Sequence, residues 1–83
     1  MYMNKQTSEM LKILLSSPGQ HFTCEALAEY LHVSTRTIRN YMTTIRDFMN
    51  QNGKEDLLQQ SDGGICVTGT AEELQMLSRA SVD

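Results

Sequence analysis

The stretch "HVSTRTIRNYMTTIR", His32 to Arg46, gathers Arg36, Arg39 and Arg46 among Ser34, Asn40 and four threonines, with no acid before Asp47. A guanidinium carries a permanent charge and a rigid fork of donors that matches phosphates and the acceptor edges of bases. The rest of the chain is acidic. The net charge is −3, yet residues 31–53, with three arginines against Asp47 alone, carry +2. Residues 1–30 carry −1 and residues 54–83 carry −4. A protein that coats polyanions indiscriminately would be basic throughout. Here the positive potential is confined to the middle third.

Other chemistries find little support. Cys24 and Cys66 are too few for a disulfide framework, and no close cysteine pair marks a zinc site. His21 and Cys24 have metal-like spacing but no second ligand pair to complete four coordination. Reduced thiols with structural roles are expected, and no cofactor. No Ser/His/Asp or Cys/His grouping stands out, no Walker-type phosphate loop is present, and the carboxylates are scattered. At 83 residues a substrate pocket would consume most of the core, so neither catalysis nor a bound small molecule is expected. The densest apolar run, "MLKILL", is broken by Lys12 and is far short of a membrane span. The N-terminus lacks the basic start and long apolar stretch of a secretory signal, so a cytoplasmic setting is expected.

Hydrophobic residues at 40% and charged residues at 20% fit one ordinary globular domain. The basic stretch needs a scaffold, and the periodicities supply one. From Asn4 to about Ser16, Leu11, Leu14 and Leu15 follow helical spacing, widened by Met10 and Ile13; Asn4 or Thr7 caps the start. Pro18 and Gly19 end this helix. Thr23 caps a second, short helix whose buried side is Leu27 and Leu31 and whose first turn holds Glu25. It ends near His32, and Ser34 caps a third helix almost at once. Two helices joined by so tight a turn cross steeply, as in a helix-turn-helix.

In the third helix Ile38, Met42, Ile45 and Met49 form one stripe, flanked by Tyr41 and Phe48. The opposite face collects Arg36, Arg39, Asn40, Thr43, Arg46, Asp47 and Asn50. A solvated surface helix would interleave acids and bases four apart; this one is donor-rich and net positive, suited to a groove lined by phosphates and base edges. Next, "LLQQSDGGICVTG" reads as a β-hairpin over residues 57–68, turning at Asp62-Gly63 or at Gly63-Gly64. A hairpin directly after a helix-turn-helix makes a winged helix. The fold class is therefore mainly α with a small β-hairpin. Its core is expected at Leu11, Leu14, Leu15, Leu27, Leu31, Ile38, Met42, Ile45 and Val67. Last, "TAEELQML" opens with a capping box, Thr70 and Glu73, and carries Leu74 and Leu77 on one stripe.

The segment "FTCEALAEYLHVSTRTIRNYMTTIRDFMNQNG", with "GGICVTGT" after it, resembles the N-terminal winged helix-turn-helix of bacterial sugar-operon regulators. These include activators with phosphotransferase-system regulation domains and the Mga-type activators. It is also similar to the heads of the biotin-operon repressor and of deoxyribose-type repressors. The resemblance covers about residues 8–70 and rests on Leu27-Ala28, Val33-Ser34, Thr37-Ile38-Arg39-Asn40 and the glycine-rich hairpin. It implies sequence-specific binding of double-stranded DNA in a transcriptional regulator of carbohydrate uptake or metabolism. It places Leu27, Ala28 and Ile38 in the core, has Val33 plug the turn, and points Arg36, Thr37, Arg39 and Asn40 at DNA. Three positions depart from the family pattern. His32 stands where glycine is usual, at a site needing positive φ. Tyr41 replaces a common acid. The wing tip bears Asp62 and no base, leaving the Gly63 and Gly64 amides or Lys54 to meet phosphate.

The interface expected is Thr23, Ser34, Thr35, Arg36, Thr37, Arg39, Asn40, Thr43 and Arg46, with Thr23 and Ser34 also serving as caps and Arg46 reaching at most a phosphate. Residues 1–69 form the DNA-binding domain, and residues 70–83 a helix that begins a linker or a following domain. The functional protein is expected to be a homodimer, because one head reads only a short half-site. Two other readings stay open. Winged helices also serve as protein-interaction modules. Relatives are often labelled antiterminators, which raises RNA binding, although no aromatic stacking platform is present.

Overall fold

The structure, a computed structural model, describes residues 4–61 and 64–80. Helix α1 spans Lys5–Ser16, α2 Cys24–Leu31 and α3 Thr35–Gln51. A single 3-10 turn, Glu55–Leu57, leads into strand β1, Leu58–Ser61, which pairs antiparallel with β2, Gly64–Val67; α4 spans Ala71–Ala80. This is the winged helix-turn-helix with an added helix that the sequence predicts. Among the described residues no helix is long and apolar enough to cross a membrane.

Each helix starts where its cap is. Asn4 Oδ1 accepts the Thr7 N–H at 2.7 Å, Thr23 Oγ1 that of Ala26 at 3.1 Å, and Ser34 Oγ that of Thr37 at 3.1 Å. Each bond satisfies one of the donors that a helix N-terminus leaves free. For α1 it is therefore Asn4 that caps, while Thr7 is buried within the helix. In α4 the capping box forms in both directions: Thr70 Oγ1 accepts from Glu73 N–H at 3.2 Å, and Glu73 Oε1 accepts from Thr70 N–H at 3.0 Å.

The turn between α2 and α3 depends on His32, which lies in the left-handed region at φ 59°, ψ 45°. Its N–H reaches back to the Glu29 carbonyl, and the Val33 N–H bonds the Ala28 carbonyl at 3.0 Å, closing α2 in a Schellman-type end. A Cβ in this conformation costs about 1 kcal/mol or more, which histidine bears better than most residues. His32→Gly is expected to raise stability by about 0.5–1 kcal/mol, lifting the thermal midpoint by roughly 2–8 °C. A midpoint equal to or below wild type in differential scanning calorimetry would show that no strain resides there.

All the expected core residues are buried except Leu15, which is only half-buried against the core's edge. The core also takes in Met10, Tyr41, Phe48, Met49, Ile65 and Leu77. Tyr41 and Phe48 turn inward because α3 is covered from two sides, by α1 and by α2, so its apolar sector is wider than one stripe. The Tyr41 hydroxyl donates to Gln6 Oε1, tying the first turn of α1 to the middle of α3. Leu77 brings α4 down onto α1.

The sheet gains a third member that the sequence does not announce. Phe22 bridges Ile65: its N–H donates to the Ile65 carbonyl at 2.8 Å and its carbonyl accepts the Ile65 N–H at 2.7 Å. The Gly19 N–H adds a bond to the Val67 carbonyl at 2.9 Å, so the loop between α1 and α2 is anchored on the wing strand. In the hairpin Ser61 pairs with Gly64 and Leu58 with Val67, which leaves a two-residue connection. The turn residues expected there, Asp62 and Gly63, lie outside the described residues.

Lys54 does not extend toward the wing. Its Nζ lies 3.3 Å from Glu73 Oε2, an ion pair joining the start of the wing segment to α4, so its expected role as a phosphate grip is not what the geometry gives. The Glu73 carboxyl is held below its ordinary value of 4.5, first by the Thr70 backbone N–H and then by Lys54. A lowered carboxylate pKa means that this contribution is complete above the ordinary value and is lost as pH falls through the lowered one. Acidification below 4.5 is therefore expected to fray α4. Glu73→Gln should flatten that part of the pH dependence, read by amide exchange in α4, and an unchanged acid profile would contradict the coupling.

Candidate nucleic-acid interface

The apolar stripe of α3 fixes what faces outward. With Ile38, Met42, Ile45 and Met49 buried at 0–6% exposure, Arg36, Arg39, Asn40, Thr43 and Arg46 lie on the open side, all of them exposed. Seventeen residues of helix make this a continuous face about 25 Å long. Thr35 and Thr37 sit at its N-terminal edge. Thr37 Oγ1 lies 3.0 Å from Ser34 Oγ, so this hydroxyl belongs to the cap as well as to the edge of the face. Thr43 turns its hydroxyl to the Arg39 carbonyl at 3.3 Å. Thr23 stands at the N-terminus of α2, where it caps.

The electrostatics of this face are one-sided. Among the described residues none of the three arginines is in an ion pair, and Arg36 and Arg39 make no side-chain hydrogen bond. Their donors are directed to solvent. The first turns of α2 and α4 hold glutamates, as the helix dipole favours, whereas the first turn of α3 holds no acid and places Arg36 there. A cation at a helix N-terminus opposes the dipole and costs a few tenths of a kcal/mol. That position is therefore not explained by stability. An unopposed N-terminus with an added guanidinium is the arrangement that receives an anion.

Between α3, the start of α2 and the wing lies an open cleft of about 420 Å³, lined by Cys24, Arg39, Thr43, Arg46, Asp47 and Gln60 among others. Arg46 has a fixed partner there, donating from Nη2 to Gln60 Oε1 on β1 at 2.8 Å. The sequence does not single out Gln60, because a glutamine in a short polar strand carries no signal of its own. The structure thus brings Arg39, Thr43 and Arg46 to the cleft, and leaves Arg36 and Asn40 outside its lining.

No metal-ligating cluster of three or more His, Cys, Asp or Glu occurs among the described residues. His21 and Cys24, spaced like ligands, do not pair; His21 Nε2 instead lies 3.7 Å from the buried Cys66 Sγ. Both cysteines are free thiols.

Comparison with known proteins fits this geometry. Transcriptional regulator ManR of Bacillus subtilis (strain 168) is 28% identical over 78 residues, which is 94% of this chain and 12% of that protein. The chain thus spans about an eighth of the length of the relative it matches. No solved structure gives a significant match. A family model described as an HTH domain matches residues 6–51, more than half of the chain and nearly the whole span from α1 through α3. The chain belongs to this helix-turn-helix domain family.

Proposed function

We propose that the chain binds double-stranded DNA sequence-specifically, with the polar face of α3 in the major groove, as the DNA-binding part of a bacterial transcriptional regulator. The observation that carries this reading is the face itself: Arg36, Arg39, Asn40 and Arg46, unpaired with any carboxylate among the described residues, on a helix whose first turn favours anions. Membership of the family and the likeness to a transcriptional regulator support it. Arg36 and Asn40 are assigned to base edges, Arg39 to a base or the flanking phosphate, and Thr23, Ser34, Thr35, Thr37, Thr43 and Arg46 to the backbone and groove wall. The regulated genes are those of carbohydrate uptake or metabolism, as the resemblance to sugar-operon regulators implies.

In this reading residues 1–69 are the binding unit, and the helix after Thr70 begins a linker or a second domain. The working regulator is a homodimer whose two heads read paired half-sites. The protein works in the cytoplasm and carries out no catalysis.

Fluorescence anisotropy with a labelled mixed-sequence duplex tests the core of the proposal. Binding should weaken steeply between about 50 and 200 mM salt, with a slope set by the phosphate contacts. Absent or salt-independent association would favour the protein-interaction reading instead.

A further inference from the structure

We infer that Gln60, on the wing, is a positioning residue that holds Arg46 as a seat for a backbone phosphate. The inference rests on the DNA-binding reading above and assigns a role within it that neither residue type nor spacing reveals. Along β1 side chains alternate, so Leu58 and Gln60 share one face. Leu58 packs against the core, and Gln60, two residues nearer the tip, projects past the core's rim and meets α3 at Arg46. The hairpin register that pairs Gln60 with Ile65 is itself fixed by the Phe22 bridge to Ile65. The acceptor is thus mounted on a strand whose partner is anchored from its other edge.

The chemistry of the acceptor matters. Asp47 lines the same cleft, yet Arg46 makes no ion pair with it and donates to a neutral amide oxygen instead. A carboxylate would cancel the charge that a phosphate needs. An amide oxygen takes one of the five guanidinium donors, restricts a long, flexible side chain, and leaves the charge intact. Restricting the side chain before binding lowers the entropy lost when the phosphate arrives. The wing, poor in basic residues, therefore acts through the recognition helix and not through its own charge.

The test uses this chain and a short mixed-sequence duplex, with affinity read across a salt series. Gln60→Ala should weaken binding about two- to fivefold in the wild-type background and leave Arg46→Ala within error, because the amide acts only through Arg46. Gln60→Glu should weaken binding about tenfold and cut the salt slope by roughly 0.9, one phosphate contact, by pairing with the guanidinium. Both residues are exposed, so thermal midpoints should stay at the wild-type value. Equal losses from Gln60→Ala in both backgrounds, or an unchanged slope for Gln60→Glu, would overturn the inference. A wild-type chain that fails to bind duplex would overturn the DNA-binding reading itself, a different result.

Discussion

Arg36→Ala is expected to weaken binding to a preferred duplex by about 1–3 kcal/mol and to relax selectivity at one base position. The side chain sits in the first turn of α3, with no partner among the described residues, so its five donors are free for the O6 and N7 of a guanine. The loss should appear against the preferred base and shrink against the other three, because a phosphate contact would instead lower all affinities alike. Stability moves the other way, if at all. Alanine is the better helix former, and removing a cation from the N-terminal turn relieves an unfavourable interaction with the dipole, so the thermal midpoint should hold or rise slightly. A variant that lost binding together with several degrees of thermal midpoint would indicate a folding defect and not a lost contact.

The largest effect on the fold is expected at Gly64. Its φ is +124°, a backbone region that side chains rarely adopt, and a Cβ there would stand 2.5 Å from the Phe22 carbonyl oxygen and 2.7 Å from the Phe22 carbonyl carbon. Both obstacles are backbone, and Phe22 is held in place by its two hydrogen bonds to Ile65. The clash has no cheap relief. Gly64→Ala should therefore cost about 3 kcal/mol, from strain at the backbone and from forcing the bridge apart. For a domain of this size that is a fall of roughly 12 °C or more in the thermal midpoint, read by circular dichroism. Amide protection at Phe22 and Ile65 should be lost before that of α3. A small change in midpoint would mean that the bridge gives way freely and contributes little. The comparison is Gly53→Ala, where φ is +71° but nothing lies within 4 Å of an added Cβ; that variant should cost only the backbone strain.

How much could be read from the sequence depends on the range of each interaction. The face of α3 is legible because a period of 3.6 repeats through seventeen residues, and one stripe of Ile38, Met42, Ile45 and Met49 fixes every other direction. The caps at Thr23, Ser34 and Thr70 are legible because a hydroxyl three residues ahead is a local code. The left-handed turn at His32 is legible only through the family resemblance, in which glycine is usual at that position. Contacts between distant segments are not written this way. Phe22 joins the sheet through a single residue, too short for any alternation to show. The partnership of Tyr41 with Gln6 spans 35 positions, and that of Lys54 with Glu73 spans 19. Arg46 and Gln60 meet only because the hairpin folds back onto α3, which the sequence places in order but not in space. In each case the residue types permit many partners, and only the packed core selects one.

The most direct measurement is a selection of the chain's preferred sites from random duplexes at low salt, run side by side with wild type and Arg36→Ala. With the polar face of α3 in the major groove, wild type should enrich a short motif containing an invariant base, and Arg36→Ala should recover the same motif with that one position relaxed. If wild type enriches no motif, or if the variant's motif is identical to it at every position, then α3 does not read bases through Arg36 and the account is wrong.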